Sequence, residues 1–277
     1  MRVELDAVLP ARVLRASRVS GGDIHEAFCA ALSDGTQIFV KTNDHPVSGM
    51  FAAEASGLQW LRDAGALRVP AVIAATERCL ALEWIEPQRG SVRADERLGR
   101  GLAAMHAAAP KTFGLDHDNF IATLRQQNDP SDAWPAFYRS QRIEPMVRRA
   151  AAQLGPRLCA RLDRVLDRLP ALFSEAEPPA RLHGDLWSGN RFTAAGDEPV
   201  VFDPACYGGH REMDLAMMKL FGGFGPRVFE AYDEAYPPLP GRADRLPMCQ
   251  LYPLLVHVNL FGAGYVGQVE RAVSSYE

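Results

Sequence analysis

The first 85 residues alternate short apolar runs with polar, turn-forming stretches. The runs SRVSGGDIHEAFCAAL and TQIFVKTN flank the turn residues 33–36 (SDGT), so this segment predicts a β-hairpin. Residues 48–65 change to an apolar spacing that is typical of a helix, and Gly65 suits its C-terminal end. The runs VPAVIAA and CLALEWIE predict two further strands. The beginning of the chain is therefore expected to be rich in β-structure, with one inserted helix.

From about residue 94 the apolar spacing becomes mostly helical, through to a last predicted helical segment at residues 246–272. One apolar run, PVVFDPA, predicts a strand that follows the polar stretch RLHGDLWSGNRF. Strands early and helices late predict an α+β protein with two lobes. We place the boundary between Glu83 and Pro87, which predicts an N-terminal lobe of residues 1–84 and a C-terminal lobe of residues 85–277.

Composition and charge narrow the class of protein. The 277 residues are 47% hydrophobic and 23% charged, as in ordinary globular proteins, and the net charge of -4 predicts no strong attraction to nucleic acid or anionic membranes. We expect no signal peptide, and a buried helix rather than a membrane span for LYPLLVHVNLFGAGYVG, which Pro253, His257 and Asn259 interrupt. Five widely spaced cysteines favour the reducing cytoplasm and do not indicate a zinc site.

Five polar side chains follow one another along the chain in an order that suits phosphoryl transfer. Lys41 ends the strand IFV, Glu54 lies on the first helix, Asp185 and Asn190 lie in the polar stretch, and Asp203 ends the strand VVF. Phosphoryl transfer from ATP needs a lysine on the phosphates, a glutamate that holds it, a carboxylate for the acceptor hydroxyl and oxygen ligands for Mg²⁺. Each residue alone has an ordinary structural explanation, so it is their order that favours a kinase.

The pattern H-G-D-x-x-x-x-N, followed by a hydrophobic strand that ends in Asp, resembles the protein-kinase-like superfamily on its aminoglycoside and choline kinase side. Over nearly the whole chain, longer strings resemble the fructosamine (ketosamine) kinase family: GGDIHEAF, DGTQIFVKTN, AEASGL, LHGDLWSGN, FDPACYGGHREMDLAM and LYPLLVHVNLFGAGYVGQ. The resemblance implies a two-lobed fold, with a small β-rich N-lobe containing one helix and a large, mostly helical C-lobe. It also implies ATP and Mg²⁺ as cofactors and phosphorylation at O3 of a fructosamine or ribulosamine, after which the adduct decomposes and the amine is deglycated.

The resemblance implies a role for each of the five polar residues. Asp185 would be the catalytic base, Asn190 and Asp203 would hold the metal, and Lys41 paired with Glu54 would reach the ATP phosphates. Further nucleotide contacts are expected from the phosphate-covering loop and from the hinge after the last N-lobe strand. These residues are Gly21, Gly22 and Asp23 in the loop, and Leu82, Glu83, Trp84 and Ile85 in the hinge. Asp23 stands where some family members have a cysteine, and no disulfide is expected in this loop.

Five further residues are candidates for supporting the site or contacting the substrate. Asp214 would accept backbone N–H bonds from the catalytic loop, and His183 is expected to pack and hydrogen-bond rather than titrate. Trp187 could stack on a sugar or simply cover the loop, and Arg211 could pair near Asp214 or face the substrate. Trp134 could form a wall of the substrate pocket or belong to ordinary helix packing. These alternatives stay open at the level of the sequence.

Two features favour a small substrate over a protein signalling switch. Gly184 replaces the arginine of the protein-kinase H-R-D motif, and only ten residues separate Asp203 from Asp214, too few for a long regulatory loop. The substrate would be a small ketosamine or a glycated lysine, and the oligomeric state is not predicted. The alternatives are another small-molecule kinase, for aminoglycoside, choline, homoserine or methylthioribose, and a nucleotide-binding pseudokinase that serves as a scaffold.

Overall fold

A five-stranded antiparallel sheet forms the N-terminal part of the protein. The computed structural model describes residues 8–9, 11–19, 25–174 and 177–277. The strands are β1 (Val13–Arg18), β2 (Glu26–Leu32), β3 (Gln37–Thr42), β4 (Val72–Ala75) and β5 (Cys79–Glu83), and they lie in the order β1-β2-β3-β5-β4. The strands predicted from the early apolar runs are confirmed.

The hairpin between β2 and β3 determines which face of the sheet carries the side chain of Lys41. Its turn forms where predicted: Gly35 has a positive φ of 88°, and Asp34 Oδ1 accepts hydrogen bonds from the Thr36 N–H at 2.9 Å and from the Thr36 hydroxyl at 2.7 Å. The register sets Ala27 opposite Lys41. Because cross-strand partners point to the same face of a sheet, this register determines the direction of the lysine side chain.

The inserted helix, α1 (Met50–Arg62), crosses from β3 to β4 and confirms the predicted helix. It ends before Gly65, whose φ of 61° suits the end of a helix. Phe51 and Leu58 on its buried face pack in one apolar cluster with Leu98 and Leu215 of later helices. Because this cluster joins the sheet side to the helical side, it holds α1 in place against the helices of the C-terminal part.

The C-terminal part is mostly helical. Its helices are α2 (Val92–Ala107), α3 (Trp134–Phe137), a π-helix (Tyr138–Ile143), α4 (Glu144–Arg149), α5 (Ala151–Leu166), α6 (Leu169–Leu172), α7 (Glu212–Phe221), α8 (Pro226–Ala235), α9 (Arg242–Phe261) and α10 (Val266–Ser274). Three antiparallel strand pairs lie among them: β6 (Asn119–Ile121) with β7 (Leu124–Gln126), β8 (Ala180–Leu182) with β11 (Tyr207–Gly209), and β9 (Arg191–Ala194) with β10 (Glu198–Val201).

Most elements agree with the apolar pattern, and the differences have a local cause. The strands β6 to β9 and β11 are only three or four residues long, so a two-residue alternation cannot identify them. The predicted helical segment 246–272 is interrupted at Gly262, whose φ is 83°. No helix within the described ranges is long and apolar enough to cross a membrane. The boundary between residues 84 and 85 stays a prediction, although β5 ends close to it at Glu83.

Candidate active site

Lys41, Glu54 and Asp203 form the lysine centre, where the sheet meets the helical part. Lys41 Nζ lies 2.8 Å from Glu54 Oε1 and 2.6 Å from Asp203 Oδ1. The side chains of Lys41 and Glu54 are only 6% and 10% exposed, whereas that of Asp203 is 40% exposed. Burial alone would lower the pKa of Lys41, but the carboxylates of Asp203 and Glu54 raise it. The lysine is therefore a fixed positive charge with one partner that solvent can reach.

The two carboxylates of the lysine centre differ in their electrostatics. Burial raises the pKa of Glu54 to about 7, and the ammonium of Lys41 only partly offsets this. Burial also opposes ionisation of Asp203, but the attraction of Lys41 lowers the pKa of Asp203 below its usual value. Asp203 also has a φ of 60°, a left-handed conformation that is uncommon for a residue other than glycine and that is often found at functional sites.

The loop of residues 183–190, predicted to be the catalytic loop, connects β8 to β9 and is held by Asp214 at the start of α7. Asp214 Oδ2 accepts a hydrogen bond from the His183 N–H at 2.8 Å, and Oδ1 accepts one from the Gly184 N–H at 2.9 Å. His106 Nε2 contacts the same carboxylate at 3.2 Å. The hydrogen bonds expected of Asp214 are thus present, and its part in the reaction stays a prediction.

Gly184 occupies a position that no side chain fits. Its φ is 81°, and a Cβ atom built there would clash with the carbonyl oxygen of Ala205. The neighbouring His183 is buried, and its Nε2 faces the carbonyl oxygen of Phe202 at 3.0 Å. Since a carbonyl oxygen only accepts, Nε2 carries the proton and Nδ1 is the acceptor for the Asp185 N–H at 3.3 Å. Burial lowers the pKa of His183, so the ring is a neutral structural element of the loop.

Asp185 and Asn190 face each other across this loop. Asn190 Nδ2 donates to the backbone oxygen of Asp185 at 2.8 Å, to Asp185 Oδ2 at 3.0 Å and to the backbone oxygen of Asp203 at 3.3 Å. Burial, followed by the negative charge of Asp203, raises the pKa of Asp185 to about 7. A carboxylate with a pKa in this range is well suited to accept a proton from a bound hydroxyl at neutral pH.

Asn190 and Asp203 offer the oxygen ligands that Mg²⁺ prefers. All hydrogen bonds of the Asn190 side chain to described residues use its amide nitrogen, which leaves the amide oxygen as a ligand, and the Asp203 carboxylate is accessible. Within the described ranges, no three His, Cys, Asp or Glu side chains cluster as a metal site. Mg²⁺ in kinases takes few protein ligands and retains waters and phosphate oxygens, so a site with one carboxylate and one amide fits it.

The predicted hinge residues follow the end of β5. Leu82 is buried, and the Glu83 carboxylate pairs with Arg68 while the Glu83 N–H donates to the Ala71 carbonyl at 2.8 Å. Trp84 and Ile85 are partly exposed in the connection to α2. Gly21, Gly22 and Asp23 lie outside the described residues. The nucleotide contacts expected of the hinge and of the loop stay predictions.

Trp187 is the exposed aromatic side chain of the catalytic loop. Trp187 follows Asp185 by two residues in the chain and is 41% exposed. Its ring lies against Gly189, where a Cβ atom would meet the indole carbons. Trp134, in contrast, is buried among the rings of Phe113, Tyr138 and others in the C-terminal core. The structure therefore leaves Trp187 accessible beside Asp185 and places Trp134 in the packing of the helices.

Arg211 belongs to a buried set of charged side chains that we call the closed ion cluster, which consists of Glu177, His210, Arg211, Glu212 and Arg245. Arg211 Nη2 lies 2.7 Å from Glu177 Oε1, and its guanidinium also donates to the carbonyl oxygens of Tyr236 and Pro237. Arg245 binds Glu212 through two nitrogens, at 2.7 and 2.8 Å. These donors are used within the protein, so the structure does not bring Arg211 to an accessible surface.

An aromatic cluster near the catalytic loop was not identified from the sequence. Its members are Phe221, His257, Phe261 and Tyr265, and the His257 ring lies 4.5 to 5.3 Å from the other three rings. Gly223, two residues after Phe221, packs against Ser188 of the catalytic loop. The string LYPLLVHVNLFGAGYVGQ contains three of these residues, but its apolar spacing indicates only a helix, and the cluster depends on how α7 and α9 meet.

His257 presents a hydrogen-bond acceptor within this cluster. Its Nδ1 lies 2.8 Å from the carbonyl oxygen of Pro253, which can only accept, so Nδ1 carries the proton and Nε2 has a free lone pair. Burial lowers the pKa of His257, which favours the neutral ring. Phe261 is 60% exposed. The cluster thus combines accessible aromatic surface with a polar acceptor.

Comparison with known proteins identifies close relatives. The model of the family described as fructosamine kinase matches residues 6–276. A protein of Synechocystis sp. described as a probable ketoamine kinase is 38% identical over 273 residues, which cover 95% of this chain and 90% of that protein. A chloroplastic protein-ribulosamine 3-kinase of rice is 34% identical over 275 residues, with coverage of 96% and 79%.

Solved structures agree with these relatives. A Thermobifida fusca protein described as a candidate fructosamine-3-kinase superimposes with a TM-score of 0.93 at 41% identity, covering 100% of this chain and 98% of that one. A choline kinase of Streptococcus pneumoniae superimposes with a TM-score of 0.66 at 15% identity, covering 99% and 96%, and shows likeness of fold alone. The predicted α+β, protein-kinase-like fold is confirmed.

Proposed function

The chain belongs to the fructosamine kinase family, and we propose that its lysine centre and catalytic loop transfer the γ-phosphoryl group of ATP to O3 of a ketosamine. The observation that supports this most strongly is the convergence of five side chains from distant positions: Lys41, Glu54, Asp185, Asn190 and Asp203. The phosphorylated sugar would then decompose and release the amine, which makes deglycation the proposed role.

Lys41 neutralises charge on the ATP phosphates in this proposal. Glu54 fixes the ammonium from the side of α1, so Lys41 stays in position when the Asp203 carboxylate binds a cation. Asp203 and the amide oxygen of Asn190 are the proposed Mg²⁺ ligands, and Mg²⁺ supplies further charge neutralisation when bound. Asn190 also keeps Asp185 in place, because the same amide donates to the Asp185 carboxylate at 3.0 Å.

Asp185 is the proposed base for the acceptor hydroxyl. Asn190 and the loop backbone orient its carboxylate, and its raised pKa lies near neutral pH. Positioning contributes as much as proton transfer, because the phosphoryl group must meet a correctly placed oxygen. The Asp214 contacts to the backbone of His183 and Gly184 support this positioning by fixing the start of the loop.

The aromatic cluster and Trp187 are the proposed walls of the ketosamine site. Flat apolar rings stack well on the C–H faces of sugars, and Trp187 exposes such a ring two residues from the base. His257 Nε2 offers an acceptor for a sugar hydroxyl or for the N–H of the linked amine. The combination suits a substrate that is both a sugar and an amine.

Coupled measurement of ADP release tests this function. We expect ADP release with fructosyl-lysine as substrate, and much slower release with choline or an aminoglycoside, which are the substrates of the rival small-molecule kinases. Mass spectrometry of the product should find one added phosphoryl group on the sugar. Nucleotide binding without ADP release in the presence of any of these substrates would instead favour a pseudokinase scaffold.

The cellular setting is part of the same proposal. The structure describes all five cysteines, and none of them forms a disulfide bond. We propose a cytoplasmic enzyme whose substrate is a small ketosamine or a glycated lysine. A panel of free and protein-bound ketosamines, compared by kcat/KM, would determine which form the enzyme prefers.

A further inference from the structure

His25 lies on the same face of the sheet as Lys41, two residues before Ala27, the cross-strand partner of Lys41. The register pairs Glu26 with Thr42 and Ala27 with Lys41, so His25 and Asn43 are the next cross-strand neighbours. Since side chains alternate between the two faces of a sheet, His25 and Asn43 point to the face that carries Lys41. His25 is not among the five polar residues whose order along the chain predicts a kinase.

The imidazole of His25 also packs on the helix that carries Glu54. Its ring centroid lies 5.0 Å from that of Phe51, which precedes Glu54 by three residues and so lies on a similar side of α1. His25 and Phe51 therefore form the layer next to the layer of Lys41 and Glu54. His25 is partly exposed, and both Lys41 and Asp203 are close enough to shift its pKa.

The hydrogen bonds of Asn43 determine which nitrogen of His25 carries the proton. Asn43 Oδ1 accepts a hydrogen bond from the His45 N–H at 2.9 Å, which fixes the orientation of the amide. Asn43 Nδ2 then faces His25 Nδ1 at 3.3 Å and must donate to it. Nδ1 is therefore unprotonated, and Nε2 carries the N–H on the far side of the ring. Burial, followed by the positive charge of Lys41, lowers the pKa of His25 and favours this neutral form.

We propose that His25 is a nucleotide-contacting residue whose Nε2–H donates a hydrogen bond to a β- or γ-phosphate oxygen of ATP. The inference rests on the proposed kinase function and adds a donor that the family pattern of lysine, aspartates and asparagine does not include. A neutral donor suits this place, because it strengthens the hold on the phosphates without adding repulsion against Lys41 or the cation. Asn43 and Phe51 act as positioning residues that set the direction of the ring.

Three substitutions of His25 distinguish the loss of its Nε2–H donor from the loss of its packing on Phe51. His25→Gln places an amide N–H close to the position of Nε2–H, whereas His25→Asn places its amide near Nδ1 and loses the donor toward the phosphates. His25→Phe keeps the ring on Phe51 and loses both nitrogens. His45→Phe is the matched control, because His45 is an exposed neighbouring histidine and the substitution keeps its backbone N–H, the group that contacts Asn43.

Affinity for ATP and AMP is measured by titration calorimetry, which does not depend on turnover. We expect His25→Phe and His25→Asn to weaken ATP binding by about tenfold to a hundredfold, the value of one hydrogen bond to a charged group, and to leave AMP binding within about twofold. His25→Gln should retain most of the ATP affinity, and His45→Phe all of it.

Three results would overturn the proposal. These are unchanged ATP affinity in His25→Phe, equal loss of ATP and AMP affinity, and a Gln variant as weak as the Asn variant. Thermal unfolding of each variant checks the fold, and the Asn and Gln pair carries the comparison if the Phe variant does not fold. If the wild-type chain binds no ATP, the proposed function itself fails, which is a different result from selective loss in the variants.

Discussion

The lysine centre and the closed ion cluster each pair opposite charges inside the protein, but they differ in whether a charged group stays accessible to solvent. In the closed ion cluster, Arg245 and Glu212 satisfy each other through two hydrogen bonds, and both side chains are at most 5% exposed. In the lysine centre, Lys41 is shared between two carboxylates, and one of them reaches solvent. A site that must exchange partners with a ligand keeps one member accessible, whereas a structural cluster closes on itself.

The nearby catalytic loop extends this contrast. Asp185 is held by a single side-chain amide and has a raised pKa, whereas Glu177 in the closed ion cluster is held between His210 and Arg211 at 3.1 and 2.7 Å. Buried charge costs free energy in both places, and full pairing compensates it only in the closed ion cluster. Substitutions in the two regions should therefore affect different measured quantities.

The largest expected effect is the loss of turnover in Asp185→Asn. Removing the base should lower kcat by about 10² to 10⁴-fold, while ATP affinity stays close to that of the wild type and the melting temperature does not fall. Coupled ADP release and calorimetric ATP titration measure the two quantities. Turnover near the wild-type value would show that another group accepts the proton.

Breaking the closed ion cluster should reduce stability instead of turnover. Glu212→Gln leaves the buried Arg245 without its carboxylate partner, and we expect a loss of about 3 to 5 kcal/mol in the free energy of unfolding by urea denaturation. The double substitution Glu212→Leu with Arg245→Met is the control, since removing both charges should cost much less. A stable Glu212→Gln variant with low kcat would mean that the cluster takes part in catalysis.

An intermediate effect is expected at the aromatic cluster. His257→Phe keeps a ring among Phe221, Phe261 and Tyr265 but removes the acceptor at Nε2. The KM for the ketosamine should rise by up to about tenfold, with little change in kcat or in KM for ATP, because a neutral hydrogen bond of modest strength is lost. An unchanged KM for every ketosamine of the panel would exclude His257 from the substrate site.

The smallest effects are changes of stability with pH, and they should have opposite signs in the two regions. Burial, followed by the neighbouring arginines, lowers the pKa of His210 to about 3. The unfolded chain therefore binds a proton at this histidine below about pH 6.5 that the folded chain does not bind, so folded stability falls as the pH drops below that value. His210→Gln should weaken this acid dependence in urea denaturation series, and an unaltered dependence would assign it to other groups.

Asp185 should act in the other direction. The pKa of Asp185 is about 7 in the folded protein, above its usual value of 3.8. The folded state therefore loses stability relative to the unfolded chain as the pH rises from about 3.8 to about 7. Asp185→Asn should therefore gain stability relative to the wild type over this range, and the difference should be smaller than a fully buried carboxyl would give because part of Asp185 is exposed. Equal stability of the two proteins at about pH 4 and about pH 8 would contradict the raised pKa.

The sequence predicted the strands and the helix that carry the five polar residues better than it predicted which other side chains surround them. The β2–β3 turn, α1 and the strand before Asp203 follow from local rules on glycine, turn residues and apolar spacing, so they could be found without tertiary contacts. The roles left open for Trp134 and Arg211 could not be separated in this way. Both residue types occur in pockets and in cores, and only burial distinguishes the two settings.

The sequence by itself determined the order of the five polar residues along the chain: a strand lysine, a helix glutamate, an Asp-x-x-x-x-Asn loop and a strand-end aspartate. It also determined the α+β class of the fold that brings them together. Only the tertiary structure decided which side chains surround that chemistry, since the layer of His25 on Phe51 and the stacking of His257 on Phe221 join positions 26 and 36 residues apart. Local spacing records which face of its own element a residue occupies. It does not record which other element packs against that face, and this packing determines burial, tautomer and pKa.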